Sequence, residues 1–516
     1  MEDVAPVGVE IYKVTREEKT MPEKKGYAAI LSDKKDRALD FNGLRTGVPF
    51  DKRTIITLLV CIVVFFALRA LPLQAYGETT STALALVVIT FLMLMFLKVN
   101  VIVPAMLIAV LGCLLHLWDW AAVKTTVANS PMVMMTGMMI VAMGCEFTPM
   151  GKRVAFLLLK HFGQKPSALV VIIGIATAFL SGFVSNNAMI IMMSAICAEI
   201  LTEMHQTPGE SRLGRAIMLV VIAASMVGGE ILICGSPIGN STGISLLNEA
   251  SGGITEISFA TWAKIGVPAF LILMFPMGLI YVKYFKVKDK DYTDLPSKEY
   301  YDAKLRELGP VGGSEIRWIL IVVGMVASMI AGMNMALASV LWAIVAMFPL
   351  VGVVPSNAVF KKLPWTIIIA SAFIPIMGTC FSAHGIGKMV VATIGGVFHG
   401  LGPVAFCLVA TIIQGIFCNV FVGASTAALT LGVGLMTPIC ISLGYNPSLI
   451  MMPVIMINSC FFIVGVNTTM LLNKGYGYWE LKDPIVPGVI LLLACAVVYA
   501  LVTCLLGPVI GVPLYM

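Results

Sequence analysis

Four short runs of small polar residues interrupt an otherwise apolar chain. They are Ser185-Asn186-Asn187, Gly235-Ser236-Pro237-Ile238-Gly239-Asn240, Gly423-Ala424-Ser425-Thr426 and Gly465-Val466-Asn467-Thr468-Thr469. Hydroxyl, amide and freed carbonyl oxygens of this kind can coordinate a cation such as Na⁺. Amide N–H groups, hydroxyls and the N-termini of half-helices can hold a carboxylate or sulfate. None of the four runs contains a charged side chain, and a site of neutral dipoles lets an ion bind and leave. Glu230 stands apart. It follows Gly228-Gly229 and precedes Gly235 by five residues. An ionisable group at that depth in an apolar segment is a functional hypothesis by default. It could serve proton coupling, sit beside a cation site, or be a carboxylate paired within the helix bundle.

The elements that carry these runs are set by composition. Of 516 residues, 59% are hydrophobic and 12% charged, against roughly a quarter charged in a soluble protein. A soluble enzyme, a nucleic-acid binder and a disordered chain are all excluded as readings, and the net charge of +6 is scattered between apolar runs. The 12 Cys lie in or beside apolar segments, where Cys packs as a small hydrophobe. No pair among the five His has metal-ligand spacing, and no Ser/His/Asp set or paired intramembrane carboxylates offer catalysis. No cofactor is expected.

Residues 1–53 hold 11 Lys/Arg and 10 Asp/Glu and read as a solvated cytoplasmic tail. The first long apolar run begins after Arg53, so no signal peptide is expected. Beyond it, apolar runs follow one another at lengths that suit a bilayer, roughly 20 residues each. Residues 54–285 form a first helix and a first repeat, 286–314 a polar cytoplasmic loop, and 315–516 a second repeat. Runs 166–204 and 402–443 are about two spans long with a polar middle, the pattern of a helical hairpin that enters and leaves on one side. Runs 215–248 and 447–477 carry Gly/Pro/Asn breaks. Such breaks free backbone groups that lipid cannot satisfy, so they must face protein or water.

Features recur in order. Phe183-Val184 returns as Phe421-Val422, Gly235 as Gly465, and Trp262 as Trp479. Basic residues collect at Lys152, Arg153, Lys160, Lys165, Arg212 and Arg215, through the 286–314 loop, and at Lys361, Lys362 and Lys474. Placing these inside puts the N-terminus in the cytoplasm, the C-terminus outside, and the two repeats in opposite orientations. The expected fold is an all-α polytopic membrane protein with 11 transmembrane helices, two re-entrant hairpins and broken helices at the site. Interrupted segments at matching positions of inverted halves point to a transport site near the midplane.

These motifs resemble the divalent anion:sodium symporter family, which has a Ser-Asn-Thr signature at each hairpin tip and a Gly-Thr-Pro-Pro-Asn-like stretch at each break. Here the tips read FVSNNA (183–188) and FVGASTAA (421–428), and the breaks read GGEILICGSPIGN (228–240) and VGVNTT (464–469). Asn187 stands where the family has Thr. Ala424 and Ser425 replace Ser and Asn, with Thr426 matching. The resemblance covers about 130–515. It implies a first Na⁺ site at Ser185, Asn186, Gly235 and Asn240, and a second at Ala424, Ser425, Gly465 and Asn467. It further implies an anion, a dicarboxylate, citrate or sulfate, facing Asn186, Asn187, Ser425 and Thr426 with Pro237 and Thr468. It also implies a homodimer in the plasma or inner membrane, with lipid around it. The resulting expectation is Na⁺-coupled symport of C4-dicarboxylates by alternating access. A proton-coupled carrier using Glu230, a Na⁺-independent exchanger and an ion channel are the alternatives.

Overall fold

The computed structural model describes residues 40–41, 44–45, 52–96, 101–292, 294–421, 425–460, 462–464 and 468–516. Apart from a two-residue ladder between Asp40–Phe41 and Leu44–Arg45 and a single antiparallel bridge between Tyr445 and Tyr515, the described secondary structure is helical. Among the described residues, seven helices are long and apolar enough to cross a membrane, among them Phe259–Tyr284, Gly313–Ile330 and Ile485–Val509, and further apolar helices are shorter. The chain is a multi-pass membrane protein. Its outer surface carries exposed apolar side chains such as Leu320, Leu337 and Val509, and lipid is the solvent that makes such a surface stable.

Local sequence explains where helices start. Asn129 accepts from the Met132 N–H (3.1 Å), Ser211 from Gly214 (2.9 Å) and Ser258 from Thr261 (3.0 Å), each satisfying a donor left free in a first helical turn. Proline opens Pro166–Ser181, Pro237–Ala250 and Pro403–Val420, where its missing N–H costs nothing.

At the centre lies Arg212–Gly228, buried on nearly every side. A helix that is apolar all round belongs inside a larger body. Pro166–Ser181 packs against it and against Phe259–Tyr284, which in turn packs on Ile485–Val509. Elsewhere Ser130–Met143 crosses Met335–Met347, so closely that a Cβ on Gly137 would lie 2.6 Å from the Ser339 backbone.

Polar contacts join the two halves at one end. Arg153, on the amphipathic helix Met150–Phe162, holds Glu315 with two nitrogens (2.9 and 3.2 Å), and both side chains are buried. Glu315 also accepts from the Gly312 N–H (2.8 Å). The short loop helix Lys298–Glu307 bridges outward, through Asp302 to Lys160 (2.5 Å) and through Lys304 to Glu199.

Candidate functional site

The first hairpin consists of an inbound arm, Pro166–Ser181, and a return arm, Asn186–Glu203. Ser185 caps the return arm. The first broken helix stops at Gly228 and resumes at Pro237. Three glycines let the tip nest against this break. A Cβ on Gly228 would lie 2.1 Å from the Ala178 carbonyl oxygen, one on Gly229 2.3 Å from the Asn186 amide, and one on Gly235 2.6 Å from the Ser181 carbonyl oxygen. The Asn186 amide nitrogen donates to the carbonyls of Gly235 and Ser225 (3.2 Å each) and to the Ser181 hydroxyl (2.9 Å). Ser181 itself donates to the Ser225 carbonyl (2.7 Å). Asn186 thus gives the Gly235 carbonyl, freed by the break, a partner, and it adds to the Ser225 carbonyl, which already accepts from the Gly229 N–H (3.0 Å).

The second hairpin has an inbound arm, Pro403–Val420, and a return arm, Ser425–Ser442. Gly423 and Ala424 lie outside the described residues, as do Gly465 and Asn467; Thr468 opens the helix Thr468–Lys474. The second break begins earlier than the sequence pattern places it. Helix Met452–Ile457 ends before Asn458 and Ser459. Asn419, near the end of the inbound arm, spans this break: its amide donates to the Cys460 carbonyl (2.9 Å) and accepts from the Ile463 N–H (3.0 Å). Gln414 donates to Asn458 (2.8 Å).

The two hairpins and the two breaks meet at one cavity of ≈ 430 Å³. Ser185, Asn186, Asn187, Gly235, Pro237, Ser425 and Thr426 line it, together with Ser236, Asn458 and Ser459. Ser236 and Ser459 hydrogen-bond across the two breaks (3.1 Å). Three helices begin at lining residues: Asn186–Glu203, Pro237–Ala250 and Ser425–Ser442. Their first-turn N–H groups and dipole ends place positive potential at the cavity wall without a fixed charge. The cavity's charged lining residues, Glu146 and Lys362, pair with each other.

Two of the sequence-derived residues sit behind this wall. Asn240 is fully buried, its amide nitrogen donating to the Ile233 carbonyl (3.3 Å) and its oxygen unpartnered among the described residues. Glu230 is 1% exposed, and neither carboxylate oxygen has a hydrogen-bond partner among the described residues. Asn240 and Ser459 are the polar side chains that face it. Its own carbonyl accepts from the Trp262 indole (3.0 Å). Asn458, Ser459, Asn419 and Gln414 escape the sequence reading. A signal for the first two was present: the offset that pairs Gly235 with Gly465 pairs Gly228-Gly229 with Asn458-Ser459.

Known proteins resemble the chain at three levels. The family profile described as citrate transporter matches residues 91–437. The sodium-dependent dicarboxylate transporter SdcS of Staphylococcus saprophyticus is 27% identical over 432 residues, covering 77% of this chain and 80% of the relative. Its namesake in Staphylococcus aureus is 24% identical over 380 residues, covering 68% and 71%. Among solved structures, the YdaH transporter of Alcanivorax borkumensis superimposes with a TM-score of 0.52 at 14% identity, over 90% of this chain and all of that one, a likeness of fold alone.

Proposed function

The chain belongs to the citrate transporter family, in keeping with its resemblance to the divalent anion:sodium symporters, and from that premise we propose that it is a secondary transporter that moves a small dicarboxylate or citrate together with Na⁺. One observation carries this reading: three helix N-termini and the described polar residues of both tips line a single cavity whose charged lining residues, Glu146 and Lys362, neutralise each other. Backbone N–H groups and the amides and hydroxyls of Asn186, Asn187, Ser425 and Thr426 suit the two carboxylates, with Pro237 and Thr468 at the helix starts. Oxygens around Ser185, Asn186 and Gly235, with Asn240 behind them, suit one Na⁺. The stretch Ala424-Ser425 with Gly465 and Asn467 suits the other. The relatives' names favour a dicarboxylate over sulfate.

The wider reading follows the sequence expectations. The chain has eleven spans and two re-entrant hairpins in inverted repeats, its N-terminus cytoplasmic and its C-terminus outside the cell membrane. Hairpins and broken helices move as one body against a scaffold that pairs two copies of the chain, which exposes the cavity alternately. Reconstituted protein tests the core of it. Succinate uptake should require an inward Na⁺ gradient and fall sharply in Asn186→Ala. Uptake independent of Na⁺ overturns symport, and unchanged uptake in the variant overturns the site.

A second reading, proton coupling, rests on Glu230, whose buried carboxylate has no described hydrogen-bond partner. An ionised carboxylate so placed is costly, by several kcal/mol, unless a proton or cation joins it. Under this reading Glu230→Gln flattens the pH dependence of uptake, and an unaltered profile removes Glu230 from coupling.

A further inference from the structure

The charged pair at the cavity has a position and a setting that the neutral site does not explain. Glu146 follows Ser130–Met143 of the first half, and Lys362 closes the helix Ser356–Lys362 of the second. The Lys362 ammonium lies 2.7 Å from Glu146 and 4.6 Å from the centre of the Phe147 ring. Both side chains remain partly open to solvent, 45% for Lys362 and 36% for Glu146. The same pair lines a second cavity of ≈ 580 Å³ that adjoins the first, sharing Val184, Ala188 and Ile191 with it. Lys152 lines this second cavity as well. The second cavity therefore carries two ammonium groups against one carboxylate, whereas, among the described residues, the Lys362–Glu146 pair is all the charge that lines the first.

A half-exposed ion pair contributes about 0–1 kcal/mol, so it opens readily. Lysine suits partner exchange: its ammonium is a compact charge on a flexible stem, with no bidentate geometry to break. Replacing one carboxylate by another at that ammonium leaves the charge balance of the contact unchanged. A concave wall lined with net positive charge also concentrates anions at the opening. An approaching carboxylate anion thus meets fixed charge first and helix dipoles second, in the order that favours capture without lasting retention.

We propose that the second cavity, cytoplasmic by the basic-residue pattern, is a docking site for the anionic substrate on that face, in which Lys362 exchanges the Glu146 carboxylate for a substrate carboxylate and Lys152 supplies the second cation, so that the anion passes between the helix N-termini and the cytoplasm through it. The proposal rests on the carboxylate reading above. The competing role for the pair is a clamp that ties the two halves together.

The roles differ in sign. Purified full-length protein in proteoliposomes is assayed with succinate and citrate over a range of salt, as wild type, Lys362→Gln and Glu146→Gln. Docking predicts that Lys362→Gln raises the KM for substrate offered on the cytoplasmic face about two- to fivefold and flattens its salt dependence, the range for one half-exposed charge. It predicts that Glu146→Gln, which frees the ammonium, lowers that KM. A clamp predicts that both variants lose transport and melting temperature together. Joint loss, or a Lys362→Gln variant with wild-type KM and salt dependence, overturns docking alone. Wild-type protein that transports neither probe overturns the carboxylate reading, and docking falls with it.

Discussion

Gly228→Ala is the smallest change that should separate the first hairpin from its break. The added Cβ would lie 2.1 Å from the Ala178 carbonyl oxygen and 2.4 Å from its Cα. Both are backbone atoms, so no rotamer change relieves the clash. Ordinary contact begins near 3.4 Å, and the two segments must therefore part by about 1.3 Å in a close-packed interior. Overpacking of this kind costs about 1–3 kcal/mol, and the immovable partner places it at the upper end. The displacement also reaches the site, because Ala178 lies three residues before Ser181 on the inbound arm, and the Ser181 hydroxyl meets the Asn186 amide. Lengthening the 3.2 Å contact from Asn186 to the Gly235 carbonyl by that amount ends the hydrogen bond. A misplacement of about 1 Å at a working site can lower rates on the order of a hundredfold. Succinate uptake per reconstituted molecule should drop by one to two orders of magnitude by this estimate, with a lower melting temperature in detergent. Gly396→Ala is the control, because nothing lies within 4 Å of the Cβ it adds. A Gly228→Ala protein that melts and transports like wild type would refute the nesting of tip and break.

Two further substitutions probe the rest of the frame. Arg153→Ala strands the buried Glu315 carboxylate and should destabilise by about 3–5 kcal/mol, read as a large fall in melting temperature, whereas replacing both partners by apolar residues of like volume should restore most of it. Asn419→Ala removes partners from the Cys460 carbonyl and the Ile463 N–H, each worth about 1–3 kcal/mol when left unsatisfied, and uptake should fall with stability; Asn419→Asp keeps the acceptor for Ile463 and should lie between.

Much of the frame could be read from the chain because lipid makes backbone satisfaction obligatory. A Gly/Pro/Asn run inside an apolar segment has few structural outcomes, and the first gap, between Gly228 and Pro237, ends within the run Gly235–Asn240, whose last four residues already belong to the next helix. What could not be read was which side chains answer the freed groups. Asn458 and Ser459 follow an unbroken apolar stretch and carry no Gly or Pro to announce a helix end. Only packing against Gln414 and Ser236 shows that they have left the helix. Likewise, composition distributes Lys362 to a loop as a marker of orientation. Its pairing with Glu146 depends on two segments more than two hundred residues apart. Asn240 illustrates the converse. Its type and spacing fit an ion ligand at the cavity, and the helix turn that follows Pro237 carries it behind the wall, beside Glu230.

The two halves solve one physical problem with different residues. Each break frees a carbonyl, Gly235's in the first half and Cys460's in the second, and a hairpin asparagine, Asn186 or Asn419, meets it. The offset that pairs Phe183-Val184 with Phe421-Val422 also pairs Ser181 with Asn419. Ser181 donates to the Ser225 carbonyl (2.7 Å) and Asn419 to the Cys460 carbonyl (2.9 Å). In the first half, glycines at 228 and 229 remove side chains so that the tip approaches and Asn186 reaches the break directly. In the second half those places are Asn458 and Ser459, which bring polar atoms to the cavity themselves. The first site is therefore built by close backbone approach and the second by side-chain supply. Substitutions that add bulk should damage the first selectively, and substitutions that remove polar atoms should damage the second. Because arm and break share hydrogen bonds in both halves, separating either pair leaves backbone groups unsatisfied. This is the physical reason for the proposal that each hairpin travels together with its broken helix during transport.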